Sequence, residues 1–247
     1  MRKLLAIAGL AFALAPAAAR AEPGLAGAVY DPNVVRGETE LELRAGVLDG
    51  GADDGDWQVK AEFGHAFTDW WRPALIAEWE HENGDSEFTA FAIENVFDFT
   101  GTRDWPVHFG AYAEYEFAQD GPDGVEFKLL MQRQRGPLDL RLNLITEREV
   151  GAGAGNDWEF GYAAQIGFAL NDDLELGLQG FGDAGTDDDF GDLGDQPHYW
   201  GPFVQFELGD IGDGEIELQA SYLAGLAESA ADGQFRLTLA YEFAGAR

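Results

Sequence analysis

Few side chains in this sequence are suited to nucleophilic or acid–base catalysis. Nucleophilic catalysis needs a hydroxyl or thiol beside a base, and the chain has no cysteine. Its histidines and serines are His65, His81, His108, His198, Ser86, Ser221 and Ser229. His81 and Ser86 share a predicted hairpin, but the residues between them are turn-like and form no catalytic motif. We therefore predict that the protein is not an enzyme and needs no cofactor.

Aspartates are clustered in two glycine-rich segments, residues 53–56 and 187–192. Carboxylate oxygens suit Ca²⁺ or Mg²⁺, but the spacing lacks the order of a calcium-binding EF-hand loop and its terminal glutamate. The candidate metal ligands are Asp187, Asp188, Asp189 and Asp192. A solvated acidic surface is the simpler interpretation, although divalent ions held there would bridge the loops to nearby phosphate groups.

The composition excludes several classes of protein. The 247 residues include 46 acidic and 15 basic side chains, for a formal net charge of −31. Such a chain gains nothing from the phosphates of a nucleic acid, so we predict no nucleic-acid partner. Disordered acidic chains lack aromatic residues, whereas aromatics make up 13% of this one. The absence of cysteine removes disulfides and thiolate metal sites from consideration.

The first residues have the pattern of an export signal. Arg2 and Lys3 precede an apolar run at residues 4–15, and residues 19–21 form an A-x-A cleavage site. We predict that residues 1–21 are a cleaved signal peptide, which removes three basic residues and no acid. No later stretch reaches the length of apolar residues that a transmembrane helix needs.

From about residue 39 onward, apolar and polar residues alternate, which is typical of strands with two different faces. In the clearest segment, Trp158, Phe160 and Tyr162 alternate with Glu159 and Gly161. We predict twelve strands, near residues 39–47, 57–64, 71–80, 88–98, 107–117, 125–132, 138–144, 158–170, 174–179, 200–208, 216–224 and 235–243. The fourth of these is irregular, which is consistent with a β-bulge.

The connections between these segments predict how the strands are arranged. All are short and have turn composition, so successive strands must be antiparallel neighbours. The odd-numbered connections include the long ones and the even-numbered ones are mostly tight, as in bacterial outer-membrane barrels. Tryptophans at segment ends and a nearly charge-free apolar face favour a membrane barrel over the alternative, a soluble secreted β-sandwich.

The mature chain resembles a Gram-negative outer-membrane β-barrel. Its last segment, GQFRLTLAYEF at residues 233–243, is similar to the aromatic-ended final strand recognised by the barrel-assembly machinery. It departs from that pattern because residues 244–247 follow the aromatic residue. In length and in its pattern of strands and connections, the chain is similar to porin-like transporters of proteobacteria, including those linked to uptake of aromatic compounds. No specific family motif is matched, so no solute is implied.

The fold prediction is therefore an all-β, transmembrane, antiparallel up-and-down barrel of about twelve strands in the outer membrane. Residues 1–21 are the signal peptide, residues 22–36 a periplasmic lead-in or plug, and residues 37–247 the barrel. The expected partners are outer-membrane lipid, lipopolysaccharide, the barrel-assembly machinery and small solutes.

If the apolar face meets lipid, the alternate residues line the interior. The charged and histidine side chains assigned to this lining are Glu40, Glu42, Arg44, Lys60, Glu62, Arg72, Glu78, Glu80, Glu94, His108, Glu114, Glu116, Glu126, Lys128, Asp139, Arg141, Glu159, Glu175, Glu207, Glu217, Arg236 and Glu242. Acids predominate, and unpaired carboxylates are costly in a dry interior, which favours a hydrated one.

Two functions are compatible with this lining. A hydrated lumen rich in carboxylates predicts a porin-like channel that favours cations or polar neutral solutes. The inward glycines, which are Gly46, Gly64, Gly110, Gly161, Gly167 and Gly177, are expected to leave space for a solute. The alternative is a non-conducting structural or adhesive barrel that acts through its acidic loops. Both functions stay open because barrels of about eight strands are filled by side chains and those of about sixteen leave a channel, and twelve lies between these numbers.

Overall fold

The computed structural model describes residues 24–244, apart from residues 83, 102 and 104. The predicted signal peptide at residues 1–21 lies outside the described residues. No helix in the described part of the chain has the length and apolar character needed to cross a membrane.

Twelve antiparallel strands form a closed barrel, which confirms the predicted fold. Each strand pairs with its neighbours in sequence, and the first pairs with the last to close the sheet. The strands are β1 (Glu38–Asp49), β2 (Trp57–His65), β3 (Trp71–Glu82), β4 (Asp85–Asp98), β5 (His108–Ala118), β6 (Asp123–Arg135), β7 (Leu138–Val150), β8 (Glu159–Asn171), β9 (Leu174–Thr186), β10 (His198–Ile211), β11 (Gly214–Gly225) and β12 (Gly233–Ala244).

The two faces of each strand meet different surroundings because successive side chains point to opposite sides of the sheet. In β1, Leu41 and Leu43 are each 47% exposed on the outer face, whereas Arg44 is 2% exposed on the inner face. Leucines and aromatic residues are exposed in the same way on the other strands. The outer wall is therefore apolar around the barrel, as a lipid-facing wall must be.

The irregular fourth segment contains a register shift. Glu78 pairs with Ala90 but Trp79 pairs with Phe88, so Thr89 is the extra residue on β4. The bulge restores the alternation, because Glu94 then points inward while Phe91 points outward.

The two ends of the barrel differ in the length of their connections. At one end β6 and β7 are joined through Gly136 and Pro137 alone, and Gly136 has a φ of 58°. At the other end β9 and β10 are separated by residues 187–197. We call these the short-connection end and the long-loop end. The connection at residues 99–107 is longer than the others at the short-connection end, where most are tight as predicted.

Candidate functional site

The barrel interior holds a segment of the chain itself. Residues 24–37, which we call the inner segment, precede β1 and run across the lumen. Near one wall, the Arg236 guanidinium donates to the carbonyl oxygens of Gly24 and Gly27, at 3.1 and 2.6 Å. The Ala26 N–H donates to Gln58 Oε1 at 2.9 Å. These bonds satisfy backbone groups that have no strand partner.

Tyr30 anchors the middle of the inner segment. Its N–H donates to Asn143 Oδ1, and Asn143 Nδ2 donates to its carbonyl oxygen, each at 2.8 Å. Its hydroxyl donates to Glu94 Oε2 at 2.8 Å and accepts from Arg44 at 2.6 Å. Three strands of the wall therefore contact one residue, β7 through its backbone and β1 and β4 through its hydroxyl.

The Tyr30 ring also contacts side chains of the inner wall. Its centroid lies 4.9 Å from that of Tyr112. Lys128 Nζ lies 4.7 Å from the Tyr30 centroid and 4.1 Å from the Tyr112 centroid, so one ammonium contacts both rings. The far end of the segment is tied by Asn33, whose Nδ2 donates to Gln132 at 2.7 Å.

Two of the inward glycines, Gly46 and Gly110, leave room for the inner segment. We expected them to leave space for a solute, and for these two residues that expectation is wrong. A Cβ at Gly46 would lie 1.9 Å from the Leu25 carbonyl oxygen. A Cβ at Gly110 would lie 2.7 Å from the Cβ of Pro32. At Gly64, by contrast, the nearest atom would be 3.5 Å away.

Apolar residues on the inner face also pack against the inner segment. Val29 joins one cluster with Phe181 and Leu223, both fully buried. Tyr30 and Val34 join a second cluster with Val96 and Leu130. These inward apolar side chains were absent from the predicted lining. Their occurrence at otherwise polar positions is the sequence signal that something packs inside the barrel.

Toward the long-loop end the lumen carries an acidic cluster of Glu78, Glu114 and Glu116. One carboxylate oxygen from each lies within 4.8 Å of the others. Lys60 Nζ lies 2.8 Å from Glu78 Oε1, so the cluster contains one ion pair. The Tyr112 hydroxyl donates to Glu114 at 2.5 Å. An anion would meet net negative charge here, and a hydrated cation would be attracted.

Most inward bases form ion pairs with acids of the wall or of the inner segment. Arg44 pairs with Glu62 at 2.9 Å and with Glu42 at 3.2 Å. The other ion pairs are Arg72 with Glu40, Lys128 with Glu126, and Arg141 with Asp139 and Asp31. Because acids outnumber bases on the inner wall, this pairing leaves a negative interior.

A cavity of about 290 Å³ lies between the inner segment and the short-connection end. Its lining includes residues of the inner segment together with Glu40, Glu217 and Glu242. The other charged residues of the lining are Asp31, Glu38, Glu42, Glu62, Arg72, Arg141 and Arg236. The inner segment thus divides the lumen into this cavity and the region around the acidic cluster.

The residues assigned to the lining differ in how far they are buried from solvent. The buried ones are Glu40, Arg44, Glu62, Glu78, Glu94, Lys128, Asp139 and Arg236. The partly buried ones are Glu42, Lys60, Arg72, Glu80, His108, Glu114, Glu116, Glu126, Arg141, Glu159, Glu175 and Glu217, and the exposed ones are Glu207 and Glu242. The two exposed glutamates lie toward the short-connection ends of their strands.

The candidate metal ligands of the long β9–β10 loop are all exposed. Asp187 accepts from the Trp158 N–H at 2.9 Å, and Asp189 accepts from the Gly191 N–H at 2.8 Å. Within the described residues, the carboxylates close enough to share an ion are those of the acidic cluster.

The structure does bring His81 and Ser86 together. They are cross-strand partners at the long-loop end, with His81 Nδ1 2.7 Å from Ser86 Oγ. His81 is half-buried and Ser86 is exposed. Trp57 stacks on the imidazole ring, with 5.6 Å between the ring centroids. Among the hydrogen bonds of the described residues, none joins the other ring nitrogen to a carboxylate that would orient the base. The geometry accordingly lacks the third member of a catalytic arrangement.

Comparisons with solved structures find barrels of the same kind. The NanC porin is 11% identical, with a TM-score of 0.56 over 82% of this chain and 98% of that one. The KdgM porin in complex with disordered oligogalacturonate is 8% identical, with a TM-score of 0.55 over 83% and 98%. An outer membrane channel from Pseudomonas putida F1 is 12% identical, with a TM-score of 0.57 over 86% and 97%. No protein-family model and no curated protein matches the sequence. At these identities the likeness shows the twelve-stranded outer-membrane barrel fold.

Proposed function

We propose that this protein is an outer-membrane, porin-like channel for small solutes, whose acidic lumen favours cations or polar neutral solutes over anions. The observation that carries the proposal is the contrast between the walls of one closed barrel. The outer wall exposes leucines and aromatic residues, while the inner wall buries paired and unpaired carboxylates. A protein that folds in water buries its apolar side chains, whereas a barrel in lipid exposes them on its outer wall, as this one does.

Solved barrels of the same fold are named as porins and channels, which supports a transport function. Export would use the signal peptide of residues 1–21, and the aromatic residues of the final strand would engage the barrel-assembly machinery. The short-connection end would face the periplasm and the acidic loops would face lipopolysaccharide.

The inner segment restricts the passage in this proposal. It has no strand partner of its own and is held by side-chain hydrogen bonds and two apolar clusters. Solutes would pass beside it or after it shifts, so the open cross-section would depend on its position. A barrel permanently closed by this segment would instead serve the structural or adhesive function.

Membrane fractionation followed by liposome swelling tests the proposal. The protein should partition to the outer membrane and show heat-modifiable migration on a gel. Liposomes containing it should swell in small neutral and cationic solutes faster than protein-free liposomes. A variant lacking residues 24–36 should accelerate swelling further. Recovery in a soluble periplasmic fraction, or swelling at the protein-free rate for both forms, would overturn the proposal.

A further inference from the structure

One wall of the cavity is formed by side-chain amides. We call Gln165, Gln179, Gln205 and Gln219 the glutamine ladder, because they lie on the adjoining strands β8, β9, β10 and β11 and all line the cavity. Gln179 Nε2 donates to Gln165 at 3.1 Å and to Gln219 at 2.9 Å. Gln219 Nε2 donates to Gln205 at 2.9 Å, which continues the ladder.

The ladder fixes the amides and leaves part of their hydrogen-bonding capacity unused. A carboxamide has two N–H donors and an oxygen with two lone pairs. Gln219 uses one N–H within the ladder, and Gln205 uses one to reach Glu217 at 2.8 Å. The Ser221 hydroxyl donates to Gln179 at 3.3 Å and adds a further polar group to the lining. A preorganised wall of neutral donors and acceptors therefore faces the cavity.

The rest of the lining adds negative charge. Arg72 is paired with Glu40, and Arg141 with Asp139 and Asp31. The third base of the lining, Arg236, donates to the carbonyl oxygens of Gly24 and Gly27 in the inner segment. Glu217 and Glu242 also line the cavity, and neither forms an ion pair within the described residues. The bases are thus engaged while carboxylates remain available to a ligand.

We propose that this cavity is a binding site for a single hydroxylated solute that carries an ammonium group, of the size of an amino sugar. The proposal rests on the proposed function and names the class of solute that the channel would take. Hydroxyl groups donate and accept, as the amides of the ladder do, and the ammonium would lie near Glu217 or Glu242. The cavity volume of about 290 Å³ is close to the lower limit of ligand pockets, roughly 300 Å³, which suits one sugar ring.

The charge of the lining sets the order of preference among solutes of equal size. Glucosamine should bind more tightly than glucose, by about threefold for one partly hydrated ion pair. Glucuronate should bind least, because its carboxylate would face Glu217 and Glu242. All three present hydroxyls to the ladder, so the differences isolate the contribution of charge.

Equilibrium dialysis of radiolabelled glucosamine, glucose and glucuronate against the detergent-solubilised barrel at pH 6.5 tests the site. Gln219→Leu interrupts the ladder and should weaken glucosamine and glucose alike, by about tenfold for a lost buried hydrogen-bond pair. Gln119→Leu, in the exposed β5–β6 connection, is the matched control and should change neither. The double variant Glu217→Gln, Glu242→Gln should weaken glucosamine by about threefold and so remove its preference over glucose measured with the same variant.

Heat-modifiable migration of each variant establishes that the barrel is folded. If Gln219→Leu does not fold, the double variant Glu217→Gln, Glu242→Gln decides alone, because it keeps the shape of both side chains and the hydrogen bond from Gln205. An unchanged preference for glucosamine over glucose in this variant would overturn the inference. Equal or tighter binding of glucuronate would overturn the inference, as would equal effects of Gln219→Leu and Gln119→Leu. Binding without solute permeation would overturn the proposed function only, whereas permeation without binding would overturn this inference only.

Discussion

Tyr30 and Asn143 form a reciprocal pair of hydrogen bonds, both 2.8 Å long, across 113 positions of the sequence. The carboxamide of Asn143 matches the N–H and carbonyl of the Tyr30 backbone as a neighbouring strand would. One side chain of β7 thereby satisfies a stretch of backbone that crosses the lumen without a strand partner. The position of the inner segment depends on this pair.

Asn143→Ala should loosen the inner segment while leaving the barrel closed. Both backbone groups of Tyr30 would lose their partner, at a cost of about 1–3 kcal/mol for each buried group left unsatisfied. Because the chain has no cysteine, a single Ala28→Cys reporter can measure this by its rate of thiol labelling. Labelling should accelerate in the Asn143→Ala background and not in a Gln119→Ala background. Equal rates in both would mean that the pair does not hold the segment.

Gly46→Ala should displace the inner segment by direct collision. The new Cβ would lie 1.9 Å from the Leu25 carbonyl oxygen, a distance that real atoms do not tolerate. Gly64→Ala is the matched control, since that Cβ meets its nearest neighbour at 3.5 Å. Liposome swelling should be faster with Gly46→Ala than with Gly64→Ala. The same rate for the two variants would show that the segment does not limit passage.

Glu116→Gln should reduce the preference of the channel for cations. The carboxylate belongs to the acidic cluster, in which Glu78 is already paired with Lys60. The ratio of cation to anion permeability should fall by about twofold, as expected for a partly hydrated charge worth roughly 0.5 kcal/mol. The zero-current potential in a KCl gradient measures this ratio. Glu228→Gln, in the exposed β11–β12 connection, should leave it unchanged, and an equal shift there would assign selectivity to the loops.

Ile166→Lys should destabilise the barrel in lipid, since Ile166 is 44% exposed on the outer wall near the middle of β8. A lysine facing hydrocarbon near the bilayer midplane costs about 2–4 kcal/mol in a membrane barrel. Urea titration of folding into lipid vesicles measures the free energy of unfolding. Gln119→Lys, on the same scale, should lie within about 0.5 kcal/mol of the unaltered chain. An equally small effect of Ile166→Lys would contradict a lipid-facing outer wall.

The alternation of β8 was enough to predict its two faces, because period-two patterning fixes which side chains share a side of the sheet. The strand count and the order of pairing followed from the short connections. A bulge was expected within the fourth segment, because the alternation of apolar and polar residues is irregular there, and the structure places it at Thr89. The fold was therefore predictable from local pattern and connection length.

The contents of the lumen were not predictable in the same way. Parity assigns Gly46 to the interior, but only the three-dimensional path of residues 24–37 shows that Leu25 occupies the space beside it. Phe181 sits on the inner face, where its cation–π contact with Arg236 at 3.8 Å depends on strands far apart in sequence. The glutamine ladder was not predictable from the sequence, because a single glutamine is uncharged and belongs to no recognisable motif. Its order appears only when β8 to β11 are placed side by side.

Single-channel recording in planar bilayers, on residues 22–247 and on a variant that also lacks residues 24–36, tests the central claim most directly. Both should produce discrete conductance steps with a zero-current potential of the sign expected for cation preference, and the shortened chain should give the larger steps. An unbroken seal with both proteins, after heat-modifiable migration has shown them to be folded, would contradict the account.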